Sequence, residues 1–164
     1  MGRSTDLYRF LDTVGDGTGD SNANGNYATI PKNFMYTCPA DVRYVTINRL
    51  IIYIEDTGNF SADGYGALSG LTNGIQVRVE HAGETILLTN NKPVKTNLHW
   101  GQMCYDTSYI SFGSGDNGLT VRWTFGNSGK PIKLYPGESL IVLVRDNLSG
   151  LVDHTFFAQG QITW

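Results

Sequence analysis

Apolar residues recur at alternate positions through most of this chain, in short runs separated by Gly, Asn, Ser and Pro. The pattern extends from Ala28 to Trp164 and is clearest from Leu119 to Phe125. Because successive side chains of a β-strand point to opposite faces of a sheet, this period predicts strands that bury one face. We expect roughly eight to ten strands with turns about every 8 to 12 residues, which is typical of an antiparallel β-sandwich, here jelly-roll-like.

Several strands can be placed individually. The β-branched run from Tyr44 to Glu55 indicates a central, largely buried strand, and Leu140 to Val144 indicates another interior strand. Ile75 to Val79 alternates with polar residues and leads through a turn into residues 85–89, which predicts a hairpin. Between these, Tyr135-Pro-Gly-Glu138 predicts a type II turn, since Pro fixes one φ angle and Gly supplies the positive φ that follows.

Composition and charge exclude several functional classes. The chain has 164 residues, the size of one domain, and a net charge of −3 with no basic stripe, so nucleic acid is not an expected partner. The longest apolar run, Leu50 to Ile54, is too short to span a bilayer, and the polar residues 1–6 lead into no apolar run, so no secretory leader is expected. We expect a soluble protein without a membrane partner.

The N-terminal segment breaks the period-two pattern. Between residues 6 and 14 the apolar side chains recur at helical spacing, at Leu7, Phe10, Leu11 and Val14. A helix of barely two turns is stable only when it is docked, either on its own sandwich or, as an arm, on a neighbouring subunit. In the second case the partner-binding residues are Leu7, Tyr8, Phe10 and Leu11.

The expected domain division follows from this break. Residues 1–26 form a short helical or extended arm and a Gly/Asn-rich loop, and residues 27–164 form a single β-sandwich domain. Cys38 and Cys104 could form one disulfide, but two distant cysteines cannot support the fold, and free thiols are expected in a reducing compartment.

Motifs for metals and cofactors are incomplete. Asp20 to Gly25 matches the opening of a calcium-binding EF-hand loop, but Pro31 occupies the position of the bidentate Glu. Gly113 to Gly118 has the spacing of a dinucleotide fingerprint, yet a strand follows it instead of a helix. The three histidines, at positions 81, 99 and 154, are isolated from one another in sequence. We expect no metal and no cofactor.

Catalytic motifs are also lacking. The acids considered for glycoside hydrolysis, which needs two carboxyl groups facing each other, lie at strand ends or in turns: Glu55, Asp56, Glu84 and Glu138. No catalytic residue is predicted and the protein is expected not to be an enzyme. Sugar binding without hydrolysis is a separate possibility, because exposed Tyr and Trp side chains on a sandwich can form a stacking platform.

Four segments, in order over most of the chain, carry a family resemblance. They are Val14-Gly-Asp-Gly-Thr-Gly, Arg49-Leu-Ile-Ile-Tyr-Ile-Glu-Asp-Thr-Gly58, Leu71-Thr-Asn-Gly-Ile75 and Lys95-Thr-Asn-Leu-His-Trp100. None of them is a chemical motif. Together they resemble small structural proteins of tailed-phage virions, a group similar to the jelly-roll decoration or cement proteins of phage heads.

This resemblance implies a role in assembly. It implies a protein that self-associates, as a trimer, and binds the major capsid protein on the outer surface of the head, after assembly in the host cytoplasm. It implies no cofactor. A position in the neck, tail or fibre, or a carbohydrate- or receptor-binding role there, is the alternative.

Overall fold

The computed structural model describes residues 2–57, 64–65, 68–69, 71–81, 84–87, 104–111, 117–124 and 131–164. In this part of the chain the regular structure is entirely β-strand, so it contains no helix that could cross a membrane. The strands are β1 Ser4–Phe10, β2 Lys32–Thr37, β3 Tyr44–Asp56, β4 Gly64–Tyr65, β5 Leu68–Ser69, β6 Gln76–His81, β7 Glu84–Leu87, β8 Cys104–Ser111, β9 Asn117–Thr124, β10 Ile132–Leu134, β11 Ser139–Val144 and β12 Asp153–Thr163.

The described strands form two main antiparallel sheets in a β-sandwich-like arrangement, as the apolar alternation predicts. The larger one, called the long sheet here, has the order β1-β12-β3-β9-β8, with β10 also paired to β3. The second sheet has the order β2-β11-β6-β7, and β4 and β5 form a separate small pair. At several points the chain therefore passes from one sheet to the other between successive strands. These crossings hold the two sheets face to face around one core.

The core lies between the sheets and consists of the inward side chains of the alternating strands. Phe34 of β2 and Phe156 of β12 have ring centroids 5.8 Å apart, so they connect the two sheets directly. Both rings are fully buried. The aliphatic side chains that surround them are also fully buried: Val45, Ile47, Leu50, Ile52, Ile54, Ile75, Val77, Leu140, Val142 and Val144.

The prediction of a helix between residues 6 and 14 is wrong, because the first part of this segment belongs to strand β1, Ser4–Phe10. It pairs with β12 over its whole length, from Ser4 opposite Thr163 to Phe10 opposite Phe157. A helix would have buried Phe10 and Val14, but Phe10 is 38% and Val14 70% exposed. The open edge of β12 offers a continuous hydrogen-bonding ladder, which a helix of two turns cannot match in stability.

The residues after β1 connect the long sheet to the second sheet. The backbone N–H of Leu11 donates to Phe156, and Asp12 then bridges to Met35 on the free edge of β2. The buried Asp12 carboxylate accepts hydrogen bonds from the N–H groups of Val14, Gly15 and Gly19. The segment thus covers a strand edge that would otherwise be open for pairing with another chain.

The Asn-rich loop that follows is anchored on the start of β12. Ala23 is fully buried, and its N–H donates to the carbonyl of His154 over 2.7 Å. The His154 ring is also fully buried, 4.6 Å from the Phe156 ring and with Nδ1 3.4 Å from the Ala23 carbonyl oxygen. These contacts join the first 26 residues closely to the sandwich, while the expected domain division at residue 26 stays a prediction.

A second buried carboxylate holds the loop between β5 and β6. Asp146 accepts hydrogen bonds from the backbone N–H groups of Thr72, Asn73 and Gly74, at distances down to 2.7 Å. Gly74 has a φ angle of 72°, a conformation that strongly favours glycine. The carboxylate replaces water as the partner of backbone groups that would otherwise be costly to bury.

Replacing Leu7 by Ala tests the strand assignment of the N-terminal segment. Leu7 is 1% exposed, so the substitution should lower the free energy of unfolding by about 2–5 kcal/mol. Asp6→Ala, on the opposite face of β1, is the matched control and should change it by less than about 0.5 kcal/mol. Urea unfolding followed by circular dichroism measures both. Small and equal changes in the free energy of unfolding for both variants would contradict the assignment of this segment to a strand that packs on the core.

Burial of His154 predicts a specific loss of stability in mild acid. Burial lowers the pKa of this imidazole from 6.5 to about 3. The pKa of His154 is lower in the folded state than in the unfolded state. The free energy of unfolding is therefore unaffected by the titration of this residue above pH 6.5 and decreases as the pH falls towards 3, because the unfolded state then binds a proton that the folded state does not. Between about pH 7 and pH 5, the free energy of unfolding of the wild type should fall more steeply than that of His154→Gln. The difference in slope should reach about 1 kcal/mol per pH unit. Parallel pH profiles of the midpoint of urea unfolding would refute this.

Candidate functional site

The outer face of the long sheet, which points away from the core, carries an aromatic cluster and several polar side chains. Alternation along each strand places these side chains: when Leu7 points inward, Asp6, Tyr8 and Phe10 point outward. The β1–β12 and β12–β3 registers then set outward residues of three strands side by side, for example Tyr8, Gln159 and Arg49. These strands come from the two ends of the chain and from its first half.

One part of this face is an aromatic surface formed by Tyr8, Phe10 and Phe157. The Phe10 and Phe157 rings, directly opposite in the register, have centroids 4.3 Å apart, and Tyr8 stacks on Phe157 at 5.3 Å. Tyr8 is 54% exposed. Aromatic clusters of this kind normally lie in a core, so their exposure on a paired, flat part of the sheet suits contact with another molecule.

Beside the aromatic surface lies a polar groove. It encloses about 390 Å³, within the range of small-ligand sites. Tyr8 forms one wall, so it belongs to both features. The polar side chains that line the groove come from four strands: Asp6, Asn48, Arg49, Thr124, Gln159 and Gln161.

A β-bulge produces this groove. Gln159 pairs with Arg49, but the next residue, Gly160, pairs with Ile47, so Asn48 is an extra residue on β3. On the other side of β3, β10 pairs with residues up to Ile47 and β9 with residues from Arg49 onwards. Both ladders of the central strand are therefore interrupted at Asn48, and bulges characteristically redirect side chains in this way.

The polar groups of the groove are not used by the fold. Within the described part of the chain, no hydrogen bond or ion pair is formed by these five side chains: Asp6, Asn48, Arg49, Gln159 and Gln161. By contrast, the buried carboxylates of Asp12 and Asp146 hold loops in place. The groove side chains can therefore form hydrogen bonds with a ligand without breaking any in the protein.

A pair of carboxylates lies at the far end of the same face. Asp153 and Glu55 are directly opposite in the β12–β3 register, and the Tyr53 hydroxyl donates to Glu55 Oε2 over 3.1 Å. Burial, together with the bond to Glu55, raises the pKa of Tyr53 to about 12. Burial also raises the pKa of Asp153, as does the nearby Glu55, and Asp153 Oδ1 is buried without a hydrogen-bond partner.

The strand register pairs Glu55 with an acid that was not among the candidates from the sequence. Glu55 and Asp56 are neighbours in the chain, yet Asp56 is buried on the inner side of β3 while Glu55 lies on the outer face. Asp153, which the sequence reasoning did not consider, is the true neighbour of Glu55. Only the strand register reveals it, since nearly one hundred residues separate the two positions.

The predicted arm residues are divided between two environments. Leu7 and Leu11 are buried in the core, at 1% and 0% exposure, so they are not available to a partner in this structure. Tyr8 and Phe10 lie on the aromatic surface. Their role in partner binding stays a prediction, and Phe157 is the third aromatic residue, which the sequence pattern placed on the more polar side of its strand.

The oxygen atoms of the EF-hand-like segment serve loop structure. Asp20 Oδ1 accepts from the N–H of Asn22, and Asn22 Oδ1 accepts from the N–H groups of Asn24 and His154. Among the described residues there is no group of three or more His, Cys, Asp or Glu side chains that could hold a metal. Cys38 is a buried free thiol, and burial raises its pKa.

Some sequence-based hypotheses concern groups outside the described residues. These are Gly113 and Gly115 of the dinucleotide-like motif, the segment from Lys95 to Trp100, the side chains of His81 and Glu84, the residue His99 and the thiol of Cys104.

The unpartnered oxygen of Asp153 predicts that this carboxylate destabilises the fold at neutral pH. Since the folded-state pKa is raised, protonation favours the folded state and ionisation above that pKa disfavours it. Asp153→Asn should therefore raise the thermal midpoint at about pH 7 and lose this advantage below about pH 4. Asp41→Asn, at an exposed turn, is the control and should have little effect. A thermal midpoint lowered by Asp153→Asn at neutral pH would contradict the prediction.

Comparison with known proteins does not add a function to this geometry. No family model, no curated protein and no solved structure matches the chain. The features that can indicate a function are those on the outer face of the long sheet: the aromatic surface, the polar groove and the carboxylate pair.

Proposed function

We propose that this chain is a non-enzymatic structural protein of a tailed-phage virion, a decoration or cement protein on the outer surface of the head. It self-associates, as a trimer, and binds the major capsid protein through the aromatic surface of Tyr8, Phe10 and Phe157. The observation that carries the proposal is this exposed aromatic cluster on a rigid, paired sheet face. The sequence resemblance to small virion proteins supplies the biological setting.

The strand order supports a jelly roll. Without the short strands β4, β5 and β10 and the edge strand β8, the sheets read β1-β12-β3-β9 and β2-β11-β6-β7. In this arrangement the first and last strands are neighbours, and so are the second and the second-to-last, as in a hairpin rolled up on itself. Jelly rolls of this kind are common among viral capsid and lectin domains, although a fold alone does not specify a function.

The aromatic surface supports attachment to another protein. Aromatic residues are enriched in the centres of protein interfaces, where they bury much apolar area at little cost in side-chain entropy. The three rings are already packed against each other, so binding would not have to order them. On a shell with many copies of the same subunit, even weak contacts of this kind add up through multivalency.

The pairing of β1 with β12 also suits a protein on a particle surface. The β1–β12 ladder ties the N-terminal and C-terminal strands together, and Trp164 donates its backbone N–H to the carbonyl of Arg3. Frayed strands are the usual starting points of proteolysis and unfolding, and β1 and β12 are both held in the sheet.

A double substitution of the aromatic surface tests the proposal. Phe10→Thr combined with Phe157→Thr keeps strand-compatible side chains and removes both rings. The wild-type protein should co-sediment with undecorated heads purified from the phage. The affinity of the double variant for these heads should be lower by a factor of about ten or more. Analytical ultracentrifugation of the free protein should show a trimer.

The control is Tyr135→Thr, which removes another exposed aromatic ring from outside the aromatic surface. It should bind heads as well as wild type does, and thermal unfolding confirms that all three proteins are folded. Failure of the wild-type protein to bind heads would overturn the head assignment. Binding to purified tails or fibres instead would establish the alternative position in the virion.

A further inference from the structure

We propose that the polar groove beside the aromatic surface is a binding site for a neutral saccharide. The inference goes beyond the proposed structural role and does not depend on it, because it rests on the groove alone. The structure places three carboxamides, those of Asn48, Gln159 and Gln161, along one depression of about 390 Å³ with an aromatic wall.

The donors and acceptors of the groove match the chemistry of sugar hydroxyls. Each hydroxyl of a sugar both donates and accepts a hydrogen bond, and each carboxamide offers donors on its nitrogen and an acceptor on its oxygen. Asp6 adds a pure acceptor and Arg49 a pure donor, both on the same groove. Since the groove side chains form no hydrogen bonds with the described protein, their full capacity is directed to solvent or to a ligand.

Charge and shape narrow the ligand class further. The groove carries one carboxylate and one guanidinium, so it has no net charge that would favour an anionic or a cationic ligand. Tyr8 is 54% exposed and lines the groove, so its ring offers an apolar contact for the C–H groups of a sugar. A neutral, hydroxyl-rich ligand therefore fits better than a phosphate, a carboxylate or an apolar molecule.

The groove is preorganised by the backbone. The residue that interrupts both ladders, Asn48, belongs to β3, which is paired with β12 on both sides of the bulge, so neither loop ordering nor strand movement is needed for binding. Gly160 keeps the floor of the groove close to β3, since a Cβ atom there would lie 1.8 Å from the carbonyl oxygen of Thr46. Sites built on such rigid elements lose little entropy when a ligand binds.

Nuclear magnetic resonance of the full-length, ¹⁵N-labelled chain tests the proposal. The probes are glucose, galactose, mannose and N-acetylglucosamine with their disaccharides, and N-acetylneuraminic acid as an anionic comparison. At least one neutral saccharide should shift the side-chain amide signals of Asn48, Gln159 and Gln161 in a saturable way, with a Kd of about 1 mM or tighter. Asn48→Ala and Gln159→Ala identify these signals and should each weaken binding about tenfold.

Gln76→Ala is the matched control, because it removes a partly exposed carboxamide from the second sheet. This variant should bind as wild type does. The proposal is overturned if no neutral saccharide gives saturable shifts, if the shifts map outside the groove, or if the Asn48 and Gln159 variants bind normally. Both variants leave Phe10 and Phe157 intact, so they should still bind phage heads, and loss of sugar binding can be separated from loss of the proposed function.

Discussion

The pairing of β12 with β3 is the interaction on which the rest of the structure depends. These are the two longest strands, and their inward side chains supply much of the core. The other strands of the described long sheet build on this pair: β1 adds to the free side of β12, β9 and β10 add to the free side of β3, and β8 follows on β9. The pairing requires glycine at position 160, because the backbone of Thr46 occupies the space of any side chain there. The same close approach creates the bulge at Asn48, so the register of the core and the groove on the surface have one origin.

The strands themselves could be predicted well from the sequence because their alternation directly reports burial. The expected runs from Tyr44 to Glu55 and from Leu140 to Val144 agree with β3 and β11 to within a residue. The N-terminal segment could not be predicted in this way, since Leu7 and Leu11 are four residues apart, a spacing that is compatible with one face of a helix and with one face of a strand. The free edge of β12 decides between them, and an edge is a property of the assembled sheet, not of the local sequence.

The outer face was less predictable, because it depends on register. Glu55 and Asp153 become neighbours only through the β3–β12 ladder, and a shift of one residue would send either side chain to the opposite face. The groove has the same origin: its residues come from β1, β3, β9 and β12, and nothing in their local sequences brings them together. The one local signal was a glycine within an otherwise regular strand, at position 160, which is typical of a bulge or a close backbone contact.

Two of the four segments that carry the family resemblance hold buried carboxylates in the described part of the chain. Val14 to Gly19 wraps the Asp12 carboxylate with two glycines at positive φ, and Leu71 to Ile75 wraps the carboxylate of Asp146. The resemblance therefore bears on how such a chain folds more than on what it binds. The proposed binding surfaces lie on the outer face and outside both of these segments, although Arg49, the first residue of the segment Arg49–Gly58, lines the groove. Two proteins that share the loop segments can therefore differ in partner, since outward side chains can be exchanged while the core and its buried carboxylates stay unchanged.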